Sequence, residues 1–206
     1  MRKIIAVLIL SILLFNKSVL SQECSYINLS KKYNYKVLAI KSKNDNNDLA
    51  ISHIRIKIIL KANNKTVQLI NIKPGFLFDD VFKNSKVSRS FITGFNKDES
   101  IVDGDSGDFI VADFNFDGKE DFAIKDDSGG NGGPTYKYFT INETETFEED
   151  IFLSSEVSHF PSEINAANKT IVTYVHANAA GYNENIFKFN HTTRTWKLWK
   201  STFKKA

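Results

Sequence analysis

The residues best suited to chemistry lie in VADFNFDGKEDFAIKDD, residues 111–127. Asp113, Asn115 and Asp117 alternate with phenylalanines, Gly118 follows, and Asp121 closes the run. With Asp113 as position 1 of a cation loop, Asn115 is position 3 and Asp117 position 5. Gly118 is then position 6, where a sharp turn needs free φ. Lys119 at position 7 offers only its backbone carbonyl, and Asp121 is position 9. Calcium takes six to eight oxygens at about 2.3–2.6 Å, and alternating oxygen-bearing side chains in a tight loop converge on such an ion. Carboxylate, amide and carbonyl donors suit a hard cation better than zinc. Position 12 is Ile124, where a helix–loop–helix site needs a bidentate glutamate, and Phe122, Ala123 and Ile124 read as a strand. The expectation is a strand–loop–strand calcium site that supports the fold. The competing reading is an acidic loop held by its own side-chain-to-backbone hydrogen bonds. Against it, several carboxylates packed together repel one another without a cation.

Other acidic residues are weaker candidates. Asp103, Asp105 and Asp108 (DGDSGD) read as a second ion site or as a polar hairpin turn. Asp126 and Asp127 are candidates to complete the ligands of the first loop. No catalytic set emerges. His53, His159, His176 and His191 are scattered, and H-E-x-x-H, G-x-S-x-G and cysteine pairs are absent. SGGNGGPTY, 128–136, lacks the lysine of a phosphate loop. The chain therefore reads as a non-enzyme, with a paired-carboxylate glycosidase as the enzymatic alternative.

The elements that must position the loop are short strands. Residues 51–60 alternate His53, Arg55 and Lys57 with Ile54, Ile56 and Ile58, a half-buried pattern, and 66–72 pairs with them across KANNK. Further strands are expected at 90–93, 108–112, 121–124, 136–141, 150–153, 169–175, 185–189 and 195–199, with a weaker one at 162–165. Residues 42–48 read as a solvated loop. No long amphipathic helix is expected. Phe109, Phe114, Phe116, Phe122, Phe139, Phe187 and Phe189 are read as core. Two segments, 108–153 and 158–199, share a four-strand rhythm. The fold class is all-β: a small β-propeller-like domain of short antiparallel strands, with a β-sandwich as the alternative.

Residues 1–21 pair a basic start, Arg2 and Lys3, with an apolar run over 4–15 and small residues at Val19 and Ser21, a signal-peptide pattern. Residues 22–206 then form one β-rich domain, exported to the periplasm or secreted, with no stable membrane span. Arg2, Lys3 and Lys17 supply the whole formal charge of +3, so the remainder is near neutral and nucleic-acid binding is not expected. Charge is uneven, however. Residues 98–127 hold eleven acidic residues against Lys119 and Lys125, while 188–205 hold six basic residues and no acid. That asymmetry is satisfied within the chain or faces a partner. A lone Cys24 makes no internal disulfide.

The loop DFNFDGKED resembles the calcium motif of FG-GAP/VCBS repeats. With DFAIKDDSGGNGGPTYKYFTIN, FLSSE and VHANAAGYNENIFKFN, the resemblance extends over 108–199. It is to small exported bacterial calcium-binding proteins of propeller-like fold, one branch of which is a periplasmic immunity protein that inhibits a lysozyme-like toxin. The resemblance implies structural calcium at Asp113, Asn115, Asp117, Lys119 and Asp121, and a protein partner such as a cell-wall hydrolase. Segments 128–136 and 176–182 are the candidate contact loops. The alternative is a secreted or surface adhesion or glycan-binding module using Tyr136, Tyr138, Tyr182, Trp196 and Trp199.

Overall fold

The computed structural model describes residues 20–43, 47–98, 106–130 and 133–205. The leader expected over 1–21 lies outside them except for Leu20 and Ser21, as do Asp103 and Asp105. Three sheets follow one another along the chain. The first is an antiparallel meander of β1 (Ser21–Tyr26), β2 (Tyr33–Lys43), β3 (Leu49–Leu60) and β4 (Thr66–Ile72). In β3, Ile54, Ile56 and Ile58 are fully buried while His53, Arg55 and Lys57 face solvent, the predicted alternation. Asn64, at φ 58°, turns the chain between β3 and β4, a left-handed position that asparagine tolerates.

The middle sheet runs β5 (Ser88–Ser90), β6 (Phe109–Ala112), β7 (Asp121–Asp127), β8 (Thr135–Ile141) and β9 (Phe147–Glu149). Only β5 pairs in parallel, against β6. A one-and-a-half-turn helix, α1 (Ile151–Glu156), leads to the third sheet. That sheet comprises β10 (Glu163–Asn165), β11 (Thr170–Asn178), β12 (Gly181–Asn190) and β13 (Thr195–Lys205).

The middle sheet is buried on both faces. Phe109, Val111, Phe122, Ile124 and Phe139 pack against Tyr26, Tyr35, Val37, Ile54 and Ile56 of the first sheet. Ile110, Ala112, Ala123, Tyr136 and Tyr138 pack with Leu153 of α1 and with Ile171, Phe187, Phe189 and Trp196 of the third sheet. Double-sided burial explains why every residue of β6 is apolar and buried, with no alternation. Rings stack through the first interface, Tyr26 on Phe109 at 4.9 Å, Phe109 on Phe122 at 5.1 Å and Phe122 on Phe139 at 4.9 Å. Such pairs add about 0.5–1.5 kcal/mol each beyond area burial. The edges are stitched as well. Gln68 on β4 donates to the Phe147 carbonyl and accepts its N–H, both at 2.8 Å, so its amide acts as one rung of a ladder to β9.

The all-β expectation holds. The described sheets form a layered, sandwich-like stack with no closed barrel, the second of the two architectures left open by the sequence. Two expectations need correction. Residues 150–153 are not a strand: the Asp150 carboxylate accepts the Leu153 N–H at 2.9 Å, caps α1, and turns the apolar run into a helix that buries Leu153. Residues 91–93 are a turn, because the expected strand at 90–93 ends with β5 at Ser90, where the Ser90 hydroxyl accepts the Ile92 and Thr93 N–H groups.

Candidate metal loop and surface segments

The loop 113–120 joins β6 to β7, two strands hydrogen-bonded from Ala112 opposite Asp121 to Phe109 opposite Ile124. Ile124 is thus buried in a strand, as its position in the motif required. Asp113 accepts the N–H of Asp117 at 3.0 Å and of Gly118 at 2.9 Å. Asn115 accepts the Asp117 N–H at 3.1 Å, and its amide donates to the Asp117 carboxylate at 3.2 Å. Asp117 accepts from the Lys119 N–H at 2.9 Å. Gly118, at φ 84°, supplies the left-handed turn that its position demands.

Asp121 is the most constrained member. Its carboxylate accepts N–H groups from Phe114 at 2.9 Å, Asn115 at 3.4 Å and Ile141 at 2.9 Å, tying the loop and β8 to the start of β7. It is fully buried. Burial pushes its carboxyl up to about 8; the Ile141 N–H opposes the rise, the Asp117 charge adds to it, and the Phe114 and Asn115 N–H groups oppose it. Burial likewise raises Asp113, against N–H bonds from Gly118 and Asp117. Among the described ion pairs, none involves Asp113, Asp117 or Asp121. Lys119 points away, its ammonium donating to the Asn142 carbonyl at 2.9 Å.

The loop also touches the third sheet. Phe116 adopts φ 59°, an uncommon conformation for an aromatic residue, and buries its ring 5.8 Å from Trp196 and 6.5 Å from Phe189. Lys169 lies 5.4 Å over that ring and donates to the Phe116 carbonyl at 3.4 Å. A hollow of about 70 Å³ separates Asn115 and Asp117 from Phe189, His191 and Arg194.

The donor set is mixed: carboxylates, the Asn115 amide oxygen and the Lys119 carbonyl. Among the described residues, no three acidic, histidine or cysteine side chains gather for metal binding by themselves. What fits a hard cation is the chemistry. Three acidic side chains share one turn without a basic partner, and two of them are lifted by burial in a way that a bound cation would reverse.

The secondary acidic candidates fall elsewhere. Asp126 and Asp127 stand at the far end of β7, about 16–20 Å along the strand at roughly 3.3 Å per residue, and cannot reach the loop. Asp127 instead accepts the N–H of Phe76 at 2.8 Å and of Gly129 at 2.6 Å. Asp108 is a structural carboxylate, paired with the Lys125 ammonium at 2.9 Å inside the protein and accepting the Phe82 N–H at 2.9 Å. The sequence held no signal for that pair beyond β6–β7 adjacency.

Of the aromatics expected at the surface, Tyr136, Tyr138 and Trp196 are buried. They occupy inward positions of the two-sided core. Tyr182 and Trp199 are exposed, joined by Tyr174. In segment 128–136, whose residues 131 and 132 lie outside the described residues, Gly129 lies against Gly133 and Gly133 against the His159 ring, while Gly130 is exposed. The β11–β12 turn is open, and residues 176–180 are all exposed.

No protein-family model matches the chain, and no curated protein matches it by sequence. Among solved structures it is similar to a Xanthomonas type IV secretion system related protein, with a TM-score of 0.59 and 13% identity. That match covers 89% of this chain and 82% of the other. At that identity the likeness is one of fold.

Proposed function

We propose that this chain is a non-enzymatic, exported binding protein, stiffened by structural calcium, that inhibits a cell-wall hydrolase of the lysozyme type. The observation that carries the reading is the β6–β7 loop. Asp113, Asn115, Asp117 and Asp121, with the Lys119 carbonyl, would hold the ion, and Phe116 ties the same loop to the third sheet. An ion there opposes the mutual repulsion of the acidic residues and leaves the strand ends rigid. Inhibition would be steric. The open β11–β12 turn, 176–182, is the better contact segment, because the glycine-rich 128–136 loop is partly enclosed. The fold shared with a type IV secretion system related protein is in keeping with a secretion-associated role.

The test has two arms. Chelator should lower the melting temperature by several degrees, and calcium should restore it. Stabilisation by mass action is about 2.7 kcal/mol at a hundredfold excess of ion over its dissociation constant. A melting curve indifferent to both, with no metal retained on purification, removes calcium from the proposal. In the second arm, the protein should slow cell-wall lysis by lysozyme-type muramidases in a dose-dependent way. A variant with residues 177–180 replaced by serines should lose that effect while melting normally. Unslowed lysis across the muramidases tested rejects the inhibitor reading. Exposed Tyr182 and Trp199 favour the alternative of a glycan-binding module, which glycan recovery in an affinity capture would support.

A further inference from the structure

The basic tail, 188–205, forms the end of β12, the following turn and β13, the outer strand of the third sheet. Its cationic groups are largely unmatched inside the protein. Arg194 meets Glu143 and Lys204 meets Glu184, each at 3.4 Å, whereas Lys188, Lys197, Lys200 and Lys205 have no acidic partner among the described residues. Among the described residues, the acidic stretch 98–127 makes no ion pair with the tail. The same strand exposes large apolar side chains: Leu198 at 51%, Trp199 at 56% and Phe203 at 45%. Pairing places Tyr182 beside Lys204 and Ile186 beside Lys200, and Lys188 lies over the Trp199 ring at 5.4 Å. Tyr182 and Tyr174 meet edge-on at 5.6 Å.

On one face of this sheet edge, Lys188, Lys197, Lys200 and Lys204 are interleaved with Trp199, Tyr182 and Tyr174, which combines two attractions. Amphipathic rings favour the headgroup level of a bilayer, and lysines are drawn to anionic lipid. A protein-binding edge would sooner carry hydrogen-bonding and apolar residues without so many unopposed like charges. Lysines on an edge strand also discourage pairing with a second copy. We propose that β13 and the adjoining outer ends of β11 and β12 form a peripheral docking surface for an anionic phospholipid bilayer. Lys188, Lys197, Lys200 and Lys204 share one face by register and meet the phosphates, while Trp199 and Tyr182 enter the interface. Charge complementarity selects this occupant, and the surface lies beside the 176–182 turn, on the face of the third sheet opposite buried Trp196.

The test is vesicle co-sedimentation of the whole chain at low salt. Mixed phosphatidylcholine–phosphatidylglycerol vesicles should bind it more tightly than phosphatidylcholine alone, and added salt should release it. Each of Lys188→Gln, Lys197→Gln, Lys200→Gln and Lys204→Gln should weaken binding about fivefold. Trp199→Ser with Tyr182→Ser should abolish the blue shift of tryptophan emission on vesicle addition. The variants alter exposed residues, and an unchanged melting temperature would verify their fold; each shares the N-terminal apolar segment with the parent, so differences report the strand. Equal binding to neutral vesicles would overturn the proposal, as would lysine variants that bind like the parent. So would retention on dextran sulfate, or self-association sensitive to the same substitutions, without vesicle binding.

Discussion

At the scale of single residues, Asp121 distinguishes a structural carboxylate from a merely acidic one. Its oxygens accept three backbone N–H groups, from the loop and from β8, at a site closed to water. Asparagine keeps the shape but replaces one acceptor oxygen with a donor amide, which would face N–H groups already seeking acceptors. At least one buried donor is then left unsatisfied, at about 1–3 kcal/mol. Asp121→Asn is therefore expected to lower the urea midpoint with an unchanged m-value, both with and without calcium. Asp117→Asn, nearer solvent, should act only when calcium is present. Equal losses for the two variants in chelator would contradict this division.

At the scale of elements, β6 and β7 are held by more than their ladder. The Asp108–Lys125 pair crosses between them inside the protein, both side chains about 95% buried, with Phe82 N–H completing the carboxylate's bonds. Removing one member leaves a buried charge alone, which costs about 3–5 kcal/mol, whereas removing both can be nearly neutral. Lys125→Met should destabilise strongly, and Asp108→Leu with Lys125→Met should recover much of the loss in thermal or urea unfolding. A double variant as unstable as the single would show that the pair itself is needed.

The same two strands mark what was readable in advance. Alternation revealed β3, the KANNK turn placed β4 beside it, and the D-x-N-x-D-G spacing placed the turn, the following strand and Ile124 correctly, because all three are local properties. Residues 150–153 misled because a short apolar run fits either period, and Asp150 as an N-cap was the available signal. β2 was missed because Leu38 and Ile40 break its polar face. Phe116 meeting Trp196, and Asp121 turning its oxygens to Ile141, depend on chain segments brought together only by folding.

At the scale of the molecule, stability should be graded across the stack. The middle sheet opens only when interfaces on both of its faces are lost, while the outer sheets each shield it on one. Amides of Ile110, Phe122 and Ile124 should therefore exchange most slowly in native-state hydrogen exchange, near the rate set by global unfolding. The ends of β11, β12 and β13 around 176–182 and 201–205 run out to exposed positions and should exchange much faster. The proposed calcium adds a discriminating step. Because the β6–β7 loop reaches Trp196 through Phe116, metal removal should speed exchange in β7 and also at 187–189 and 196, leaving β3 less affected. Acceleration confined to 113–121 would mean that the loop is a local clasp with no hold on the third sheet. Uniform acceleration everywhere would mean that the ion sets only the global equilibrium, since no single layer would then open separately.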